Sequence, residues 1–211
     1  ITDGDISFGM TKGIADLLMM GREIQDIIIV GIGYGQGLKY RQEKRGRDLV
    51  PGSDTIPAEG ENTSGADNFI KFIQHELIPV INKKYRTYPD SSAIGGHSLG
   101  GLLNSYILFT QPELFNKYLI GSPTLAARNK ITFKSEAEFF KSHRELNRAV
   151  YMYYGSLENK DYTNLVDEFV QNIQTHDYRG LKLVTQIFEG ETHMSVPAVA
   201  ITNGLKTIFK P

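Results

Sequence analysis

The chain has 211 residues, a formal net charge of -1, five histidines and no cysteine. This length is sufficient for one domain with a sizeable core, and we expect residues 1–211 to form a single domain. The near-neutral charge argues against a nucleic-acid partner, and the lack of cysteine excludes disulfides, thiolate metal sites and a cysteine nucleophile. No apolar run is long enough to span a membrane.

Strand-like and helix-like patterns alternate along the chain, which predicts an α/β fold with a mostly parallel sheet and helices on both faces. The predicted helices are 11–22, 64–85, 99–110, 134–147, 164–176 and 196–209. The predicted strands are 27–31, 91–96, 117–121, 150–155 and 181–188. Ser64 is the expected cap of the second helix, and Pro79 is expected to kink it. Residues 31–54 are predicted as a long loop, and residues 123–149 as a small inserted helical cap.

A G-x-S-x-G pattern centred on Ser98 lies between a predicted strand and a predicted helix. In a nucleophile elbow the chain turns sharply at this point and exposes the serine hydroxyl above the sheet. The positions beside the serine must be glycine, because a Cβ there would collide with the neighbouring strand or helix. The pattern therefore predicts Ser98 as a nucleophile, with a glycine-rich turn and a bystander serine as the alternative.

A serine nucleophile needs a base, and His193 is the predicted one. It follows the last predicted strand and precedes the closing helix, as expected where the chain order is Ser, acid, His. His97 is expected to turn away from Ser98 and to pack beside the elbow. The remaining histidines lie on predicted helices and are expected to be surface or solvated residues: His75, His143 and His176.

The acid and the oxyanion hole are predicted from the same strand–helix order. Glu158 follows the strand 150–155 directly and is the predicted acid, with Asp161 as its rival; an acid elsewhere or a Ser–His dyad stays open. The backbone N–H of Leu99 is one predicted oxyanion donor. The N–H of Asp5, in the opening Asp-Gly-Asp turn, is the other, unless that turn is only a ragged chain end.

Taken together, five segments resemble the putative-esterase family of α/β hydrolases, and most closely its enterobactin-type siderophore-esterase branch. They are TDGD at 2–5, VGIGYG at 30–35, RGRDLVP at 45–51, GGHSLGGL at 95–102 and FEGETHMSVPAVAITNGL at 188–205. The resemblance implies an α/β-hydrolase fold and a site built from Ser98, His193, Glu158, Asp5 and Leu99.

The resemblance also implies where substrate is bound. Arg45, Arg47 and Tyr34 match the segments that shape the acyl pocket in the siderophore branch, although the two arginines are equally well read as solvated loop charges. That branch commonly places an aromatic residue after Gly-Ser-Pro, whereas this chain has 124–127 as Thr-Leu-Ala-Ala and contains no tryptophan. Strands that precede the Asp-Gly turn in the family are expected to be missing here.

The sequence thus predicts a serine carboxylesterase that acts on a small-molecule ester without a metal or a cofactor. The glycine run at 31–37 lacks the following acidic residue of a dinucleotide site, and no metal-binding histidine spacing occurs. Acyl transfer on the same residues and a non-catalytic binding module are the alternatives. Compartment and oligomeric state stay open.

Overall fold

Four strands form one parallel sheet in the computed structural model, which describes residues 1–35, 38–52 and 65–210. They are β1 (Ala93–His97), β2 (Lys117–Gly121), β3 (Ala149–Gly155) and β4 (Lys182–Phe188). The spatial order follows the chain order, and every neighbouring pair is parallel. The carboxyl ends of all four strands therefore meet at one edge of the sheet, where ligands bind in open α/β folds.

Helices cover both faces of this sheet, as the sequence predicts. They are α1 (Gly4–Met20), α2 (Leu38–Leu49), α3 (Gly65–Phe72), α4 (Ile78–Lys84), α5 (Leu99–Thr110), α6 (Ala127–Ser142), α7 (Lys160–His176) and α8 (Val196–Ile208). Two hydrophobic clusters result, one containing residues of α3, α5, α6 and α7, the other residues of α1 and α8. Along β3 the side chains alternate between them: Val150, Met152 and Tyr154 join the first, and Tyr151 and Tyr153 the second.

The predicted strand over 27–31 is wrong for this structure, since none of the four strands includes it. A strand needs a neighbour along its length, and here the pairing is one residue long. The Ile1 ammonium donates to the Val30 carbonyl at 2.6 Å, and the Ile32 N–H donates to the Ile1 carbonyl at 2.9 Å. The next residue, Thr2, faces the sheet instead: its N–H donates to the Gly95 carbonyl of β1 at 3.0 Å.

The predicted long loop over 31–54 is also wrong in part, because it contains α2. Its twelve residues are mostly lysine, arginine, glutamine, glutamate and leucine, which favour helix, and they include no proline. The charge of the stretch obscured its helix propensity. The predicted first helix begins earlier than expected, at Gly4, so the Asp-Gly-Asp turn is the first turn of α1.

The predicted helix over 64–85 is interrupted rather than simply kinked. A π-helical segment, Ile73–Leu77, separates α3 from α4 and ends two residues before Pro79. Proline has no N–H to donate into the preceding turn, and the wider π-turn accommodates that loss. The predicted cap, Ser64, lies outside the described residues.

The inserted helix also differs from its prediction, since α6 spans Ala127–Ser142 instead of 134–147, with a kink where Arg128, Asn129 and Lys130 have left-handed backbone. It ends early because the following residues pair with the segment after α7. The Leu146 N–H donates to the Arg179 carbonyl, and the Arg179 N–H donates to the Arg144 carbonyl, both at 2.9 Å.

Candidate active site

Ser98 connects the end of β1 to the start of α5 in a strained backbone conformation. Its φ and ψ are 60° and −116°, outside the backbone regions that residues other than glycine prefer. A Cβ on Gly96 would lie 2.7 Å from the carbonyl carbon of Gly100, and one on Gly100 would lie 2.2 Å from Thr2 Oγ1. Gly96 is therefore required by close backbone approach and Gly100 by the Thr2 side chain, as expected for a nucleophile elbow.

The predicted base and acid are brought together. His193 Nδ1 lies 2.7 Å from Glu158 Oε2, and the carboxylate must accept this hydrogen bond. Glu158 is nearly buried, and its other oxygen accepts from Ser122 Oγ at 2.6 Å and from the Gly155 N–H at 2.8 Å. Asp161, the rival acid, lies in the exposed first turn of α7, where its N–H donates to Asn159 Oδ1.

These hydrogen bonds keep the acid ionised. Burial alone would raise the pKa of the Glu158 carboxyl, but the hydrogen bonds from His193, Gly155 and Ser122 together hold its pKa below the ordinary value of 4.5. A carboxylate in this state can hold a histidine ring in one tautomer and stabilise its cation.

Hydrogen bonds connect the loop that carries Glu158 to the loop that carries His193. The Leu157 N–H donates to the Glu191 carbonyl at 2.9 Å, and the Gly190 N–H donates to Ser156 Oγ at 3.0 Å. The Ser156 N–H also bonds the end of β4, at the Phe188 carbonyl. Both loops follow central and edge strands of one sheet, so the sheet sets the separation of acid and base.

The base is adjacent to the nucleophile but is not hydrogen-bonded to it in the described structure. The His193 ring contacts the ring of His97, the residue before Ser98, with a centroid separation of 4.5 Å. The Ser98 hydroxyl instead lies 3.4 Å from Thr124 Oγ1, whose residue follows the end of β2. Nucleophile–base hydrogen bonds are often long in ligand-free sites and form when substrate binds.

The two predicted oxyanion donors lie in the first turns of neighbouring helices. Leu99 begins α5, and Asp5 is the second residue of α1, so neither N–H has an acceptor within its own helix. The starts of the two helices lie close together. Thr2, two residues before α1, fills the space beside Gly100 in the first turn of α5. Both helix N-termini favour negative charge between them.

The start of α1 is held by carboxylates. The Asp5 carboxylate accepts from the N–H groups of Tyr34 and Gly35 at 2.7 and 3.0 Å, and these bonds lower its pKa. Asp3, in the left-handed conformation before the helix, receives two hydrogen bonds from Arg45, at 2.5 and 3.0 Å. Both partners of this ion pair are largely buried.

The three predicted substrate-binding side chains occupy different environments. Arg45 is engaged with Asp3, whereas the side chain of Arg47 contacts Asp48 and stays 44% exposed. Tyr34 is half-buried, and burial, followed by the nearby carboxylates of Asp48 and Asp3, raises the pKa of its hydroxyl. Arg47 is thus the more accessible of the two arginines.

The other histidines divide into exposed and bound groups. His75 is exposed on the π-helical segment, and His143 is exposed while its ring stacks on Phe139. The expectation that His176 is solvated is wrong. Its Nδ1 lies 2.6 Å from the buried Glu136, because the end of α7 packs against α6.

Three residues around the site were not predicted from the sequence. Ser122 bonds the acid, Thr124 lies beside the nucleophile, and Asp3 pairs with Arg45. A positional signal exists for the first two, because they follow β2 at the same sheet edge as Ser98. The Asp3–Arg45 pair spans 42 residues and has no local signal.

Other features of the described residues do not compete with this site. Within 1–35, 38–52 and 65–210, no cluster of three or more His, Asp or Glu side chains could hold a metal ion. No helix in the same ranges is long and apolar enough to cross a bilayer. An open cavity of about 1090 Å³ borders the amino end of β1, but it is lined by none of Ser98, Glu158 and His193.

Residues 2–195 match the family described as Putative esterase. Ferri-bacillibactin esterase BesA of Bacillus subtilis is 27% identical over 195 residues, covering 87% of this chain and 68% of the relative. Siderophore triacetylfusarinine C esterase of Aspergillus fumigatus is 26% identical over 211 residues, covering 87% and 70%.

Solved structures give the same result for the fold. The BES protein of Bacillus cereus superposes with a TM-score of 0.88 at 28% identity, covering 100% of this chain and 81% of that one. An IroE-like serine hydrolase from Shewanella oneidensis reaches 0.85 at 24% identity, covering 99% and 68%. The predicted α/β-hydrolase fold is confirmed, and the chain belongs to the Putative esterase family, whose activity is the hydrolysis of esters.

Proposed function

We propose that the chain hydrolyses siderophore-type esters through a Ser98–His193–Glu158 triad. The observation that carries this proposal is the 2.7 Å contact between His193 Nδ1 and Glu158, at the sheet edge where Ser98 sits in its strained turn. A base oriented by a buried carboxylate, beside a serine at a helix N-terminus, is the arrangement that activates a hydroxyl for acyl transfer.

In the first half of the reaction, Ser98 Oγ attacks the ester carbonyl carbon and His193 Nε2 takes the hydroxyl proton. The carbonyl oxygen becomes an oxyanion, which the N–H groups of Leu99 and Asp5 stabilise. When the tetrahedral intermediate collapses, the bond to the alkoxy oxygen breaks. His193 returns its proton to that oxygen, the alcohol leaves, and Ser98 is acylated.

In the second half, water attacks the acyl-enzyme and His193 takes one of its protons. Collapse of this intermediate breaks the Ser98 ester bond and releases the carboxylic acid, and His193 restores the proton to Ser98 Oγ. Glu158 remains ionised throughout. It holds the Nδ1–H tautomer and stabilises the imidazolium, which its lowered pKa favours.

The proposed substrate class rests on the relatives and on the surface around the base. Two curated relatives are named for siderophore esters, a ferri-bacillibactin and a triacetylfusarinine C. Leu157 and Met194, next in sequence to Glu158 and His193, are 63% and 81% exposed and give the rim an apolar character. We assign Arg47 and Tyr34 to contacts with the siderophore, since the Arg47 side chain is 44% exposed while it pairs with Asp48.

A panel of esters tests both parts of the proposal. It contains a tris-catecholate trilactone, its ferric complex, a feruloyl ester and p-nitrophenyl esters of increasing chain length. We expect kcat/KM for one of the two siderophore forms to exceed that for the simple aryl esters by at least about tenfold. Product analysis with an added alcohol detects acyl transfer in place of hydrolysis.

The Ser98→Ala variant is the control for the chemistry. It should fold with an unchanged melting temperature and lose turnover of every ester in the panel. Turnover by this variant at the wild-type rate would overturn the proposed mechanism. A wild-type enzyme that prefers a simple aryl ester over both siderophore forms would overturn the substrate class only.

A further inference from the structure

A second histidine ring packs directly against the base. His97 is the last residue of β1, and its ring centroid lies 4.5 Å from that of His193, with the two planes tilted by 43°. His97 also stacks on Tyr153 of β3, at 6.3 Å and 17°. The His193 ring is therefore fixed at its Nδ1 by Glu158 and on one face by His97.

The position of His97 leaves little room for any other arrangement. A Cβ added to Gly121 of β2 would lie 2.9 Å from His97 Nδ1 and 2.3 Å from the Tyr153 hydroxyl. The ring is thus enclosed by the backbone end of β2, by Tyr153 and by His193. Close packing of this kind transmits the position of one ring to its neighbour.

His97 is held in its uncharged form. Both of its ring nitrogens are buried and form no hydrogen bond of normal geometry in the described structure. Burial first, and then the charge of His193, lower the pKa of His97 to about 4, although the Glu158 carboxylate and the nearby backbone of His193 act in the opposite direction. The other groups that face it are the Tyr153 hydroxyl and, more distantly, Arg45.

Elsewhere the chain packs a histidine ring on phenylalanine. His143 stacks on Phe139 at 4.2 Å and His176 on Phe140 at 3.7 Å, both within 7° of parallel. Each of those histidines also has a hydrogen-bond partner. His97 differs on both counts, because it is a buried polar ring without a hydrogen bond of normal geometry and its neighbour is the base itself. A buried polar group without such a bond is destabilising, so packing alone does not account for histidine here.

We propose that His97 is a positioning residue for His193, whose neutral ring holds the base with Nδ1 on Glu158 and Nε2 toward Ser98. This inference rests on the proposed triad. Because the ring covers one face of His193 and is itself uncharged, it restricts rotation of the base without repelling the imidazolium formed during the reaction. A base that is already oriented loses less freedom in the transition state.

The test replaces the ring and follows the base. We expect His97→Ala to lower kcat on a p-nitrophenyl ester by on the order of tenfold with little change in KM, because the base is misoriented while the substrate surface is intact. The acid limb of the pH profile should move to higher pH, because hydration of the uncovered face favours the protonated base. His97→Gln, which restores a neutral planar group of similar size, should recover part of kcat.

A spectroscopic measurement separates positioning from general loss of structure. In wild-type protein with ¹⁵N-labelled histidine, the His193 ring should be a single Nδ1–H tautomer, and in His97→Ala it should become a mixture. His143→Ala, which removes an exposed histidine that also stacks on an aromatic ring, is the matched control and should leave kcat, pH profile and tautomer unchanged.

The outcomes distinguish this inference from the proposed triad. If His97→Ala keeps the wild-type kcat and pH profile while Ser98→Ala is inactive, the triad stands and the role of His97 is overturned. A change in KM alone would overturn it as well, since it would assign His97 to substrate binding. If His97→Ala does not fold, His97→Gln is measured in its place. A His97→Gln variant that loses activity but keeps the wild-type pH profile and a single Nδ1–H tautomer of His193 would contradict positioning.

Discussion

The two sides of the site are built in different ways. The acid–base side, formed by Ser122, Glu158 and His193, stands on loops that leave β2, β3 and β4, three paired strands of one sheet. The oxyanion side, formed by residues 2–5 and Arg45, is held by one backbone hydrogen bond from Thr2 to Gly95 of β1 and by one ion pair to α2. The first side is fixed by the sheet, and the second by a few individual bonds.

This difference predicts how each side responds to substitution. On the acid–base side, the fold keeps the loops in place, so a substitution should remove one chemical role and little else. On the oxyanion side, we expect the Asp3–Arg45 pair to help place the proposed Asp5 N–H donor, so substitution of Arg45 should misplace that donor. The open cavity borders this side, since Ile1 and Thr2 contribute to its lining.

The largest effect is expected at the acid. Glu158→Gln keeps the shape of the side chain but removes the charge that stabilises the His193 cation, and kcat should fall on the order of 10³-fold. Steady-state kinetics on a p-nitrophenyl ester measures the loss. Asp161→Asn is the matched control, three residues along the chain, and should retain wild-type kcat. If kcat falls in Asp161→Asn and not in Glu158→Gln, Asp161 is the acid of the triad and Glu158 is not.

A smaller effect is expected on the oxyanion side. Arg45→Met removes both hydrogen bonds to Asp3, and kcat should fall roughly tenfold to a hundredfold at unchanged KM, because the Asp5 N–H is misplaced. Arg47→Met, two residues away on the same helix, should instead raise KM for a siderophore ester. If Arg45→Met raises KM and leaves kcat unchanged, Arg45 binds substrate and the predicted difference between Arg45 and Arg47 is wrong.

The smallest effect is expected at Ser122. Ser122→Ala removes one hydrogen bond to Glu158 and should lower the free energy of unfolding at pH 7 by about 1–2 kcal/mol, with a modest loss of kcat. Because the pKa of Glu158 lies below 4.5 in the folded state, its contribution to stability is present above pH 4.5 and is lost as pH falls through the folded pKa.

The same variant should therefore lose less stability on acidification than the wild type does. Without the Ser122 bond, the folded pKa of Glu158 moves back toward its unfolded value, and the pH-dependent contribution shrinks. Urea unfolding at pH 7 and pH 3 measures both quantities. An equal or larger decrease in Ser122→Ala would contradict the assignment of Ser122 as a partner of the carboxylate.

The acid–base side was predictable from sequence because its signals are local. Ser98, Glu158 and His193 each lie within five residues of the carboxyl end of a strand, and parallel strands place these ends at one edge. β2 and α5 have the predicted bounds because an apolar strand and an apolar helix have clear limits. The α/β architecture follows from the same alternation of elements.

The oxyanion side was less predictable because its contacts are distant in sequence. The segment 27–31 has the composition of a strand but lacks a partner along its length, and composition does not report pairing. The charged residues of α2 concealed a helix, and the role of Arg45 depends on Asp3, 42 residues away. Ser122 and Thr124 carry no motif, so only the geometry of the sheet edge identifies them.

Labelling with a fluorophosphonate tests the central claim most directly, because this probe reacts with an activated serine and not with an inert hydroxyl. Intact-protein and peptide mass spectrometry should show a single adduct on Ser98 that is absent from Ser98→Ala and forms slowly in Glu158→Gln. Folded, ester-hydrolysing protein that remains unlabelled at Ser98, or that carries the adduct on another residue, would contradict the account.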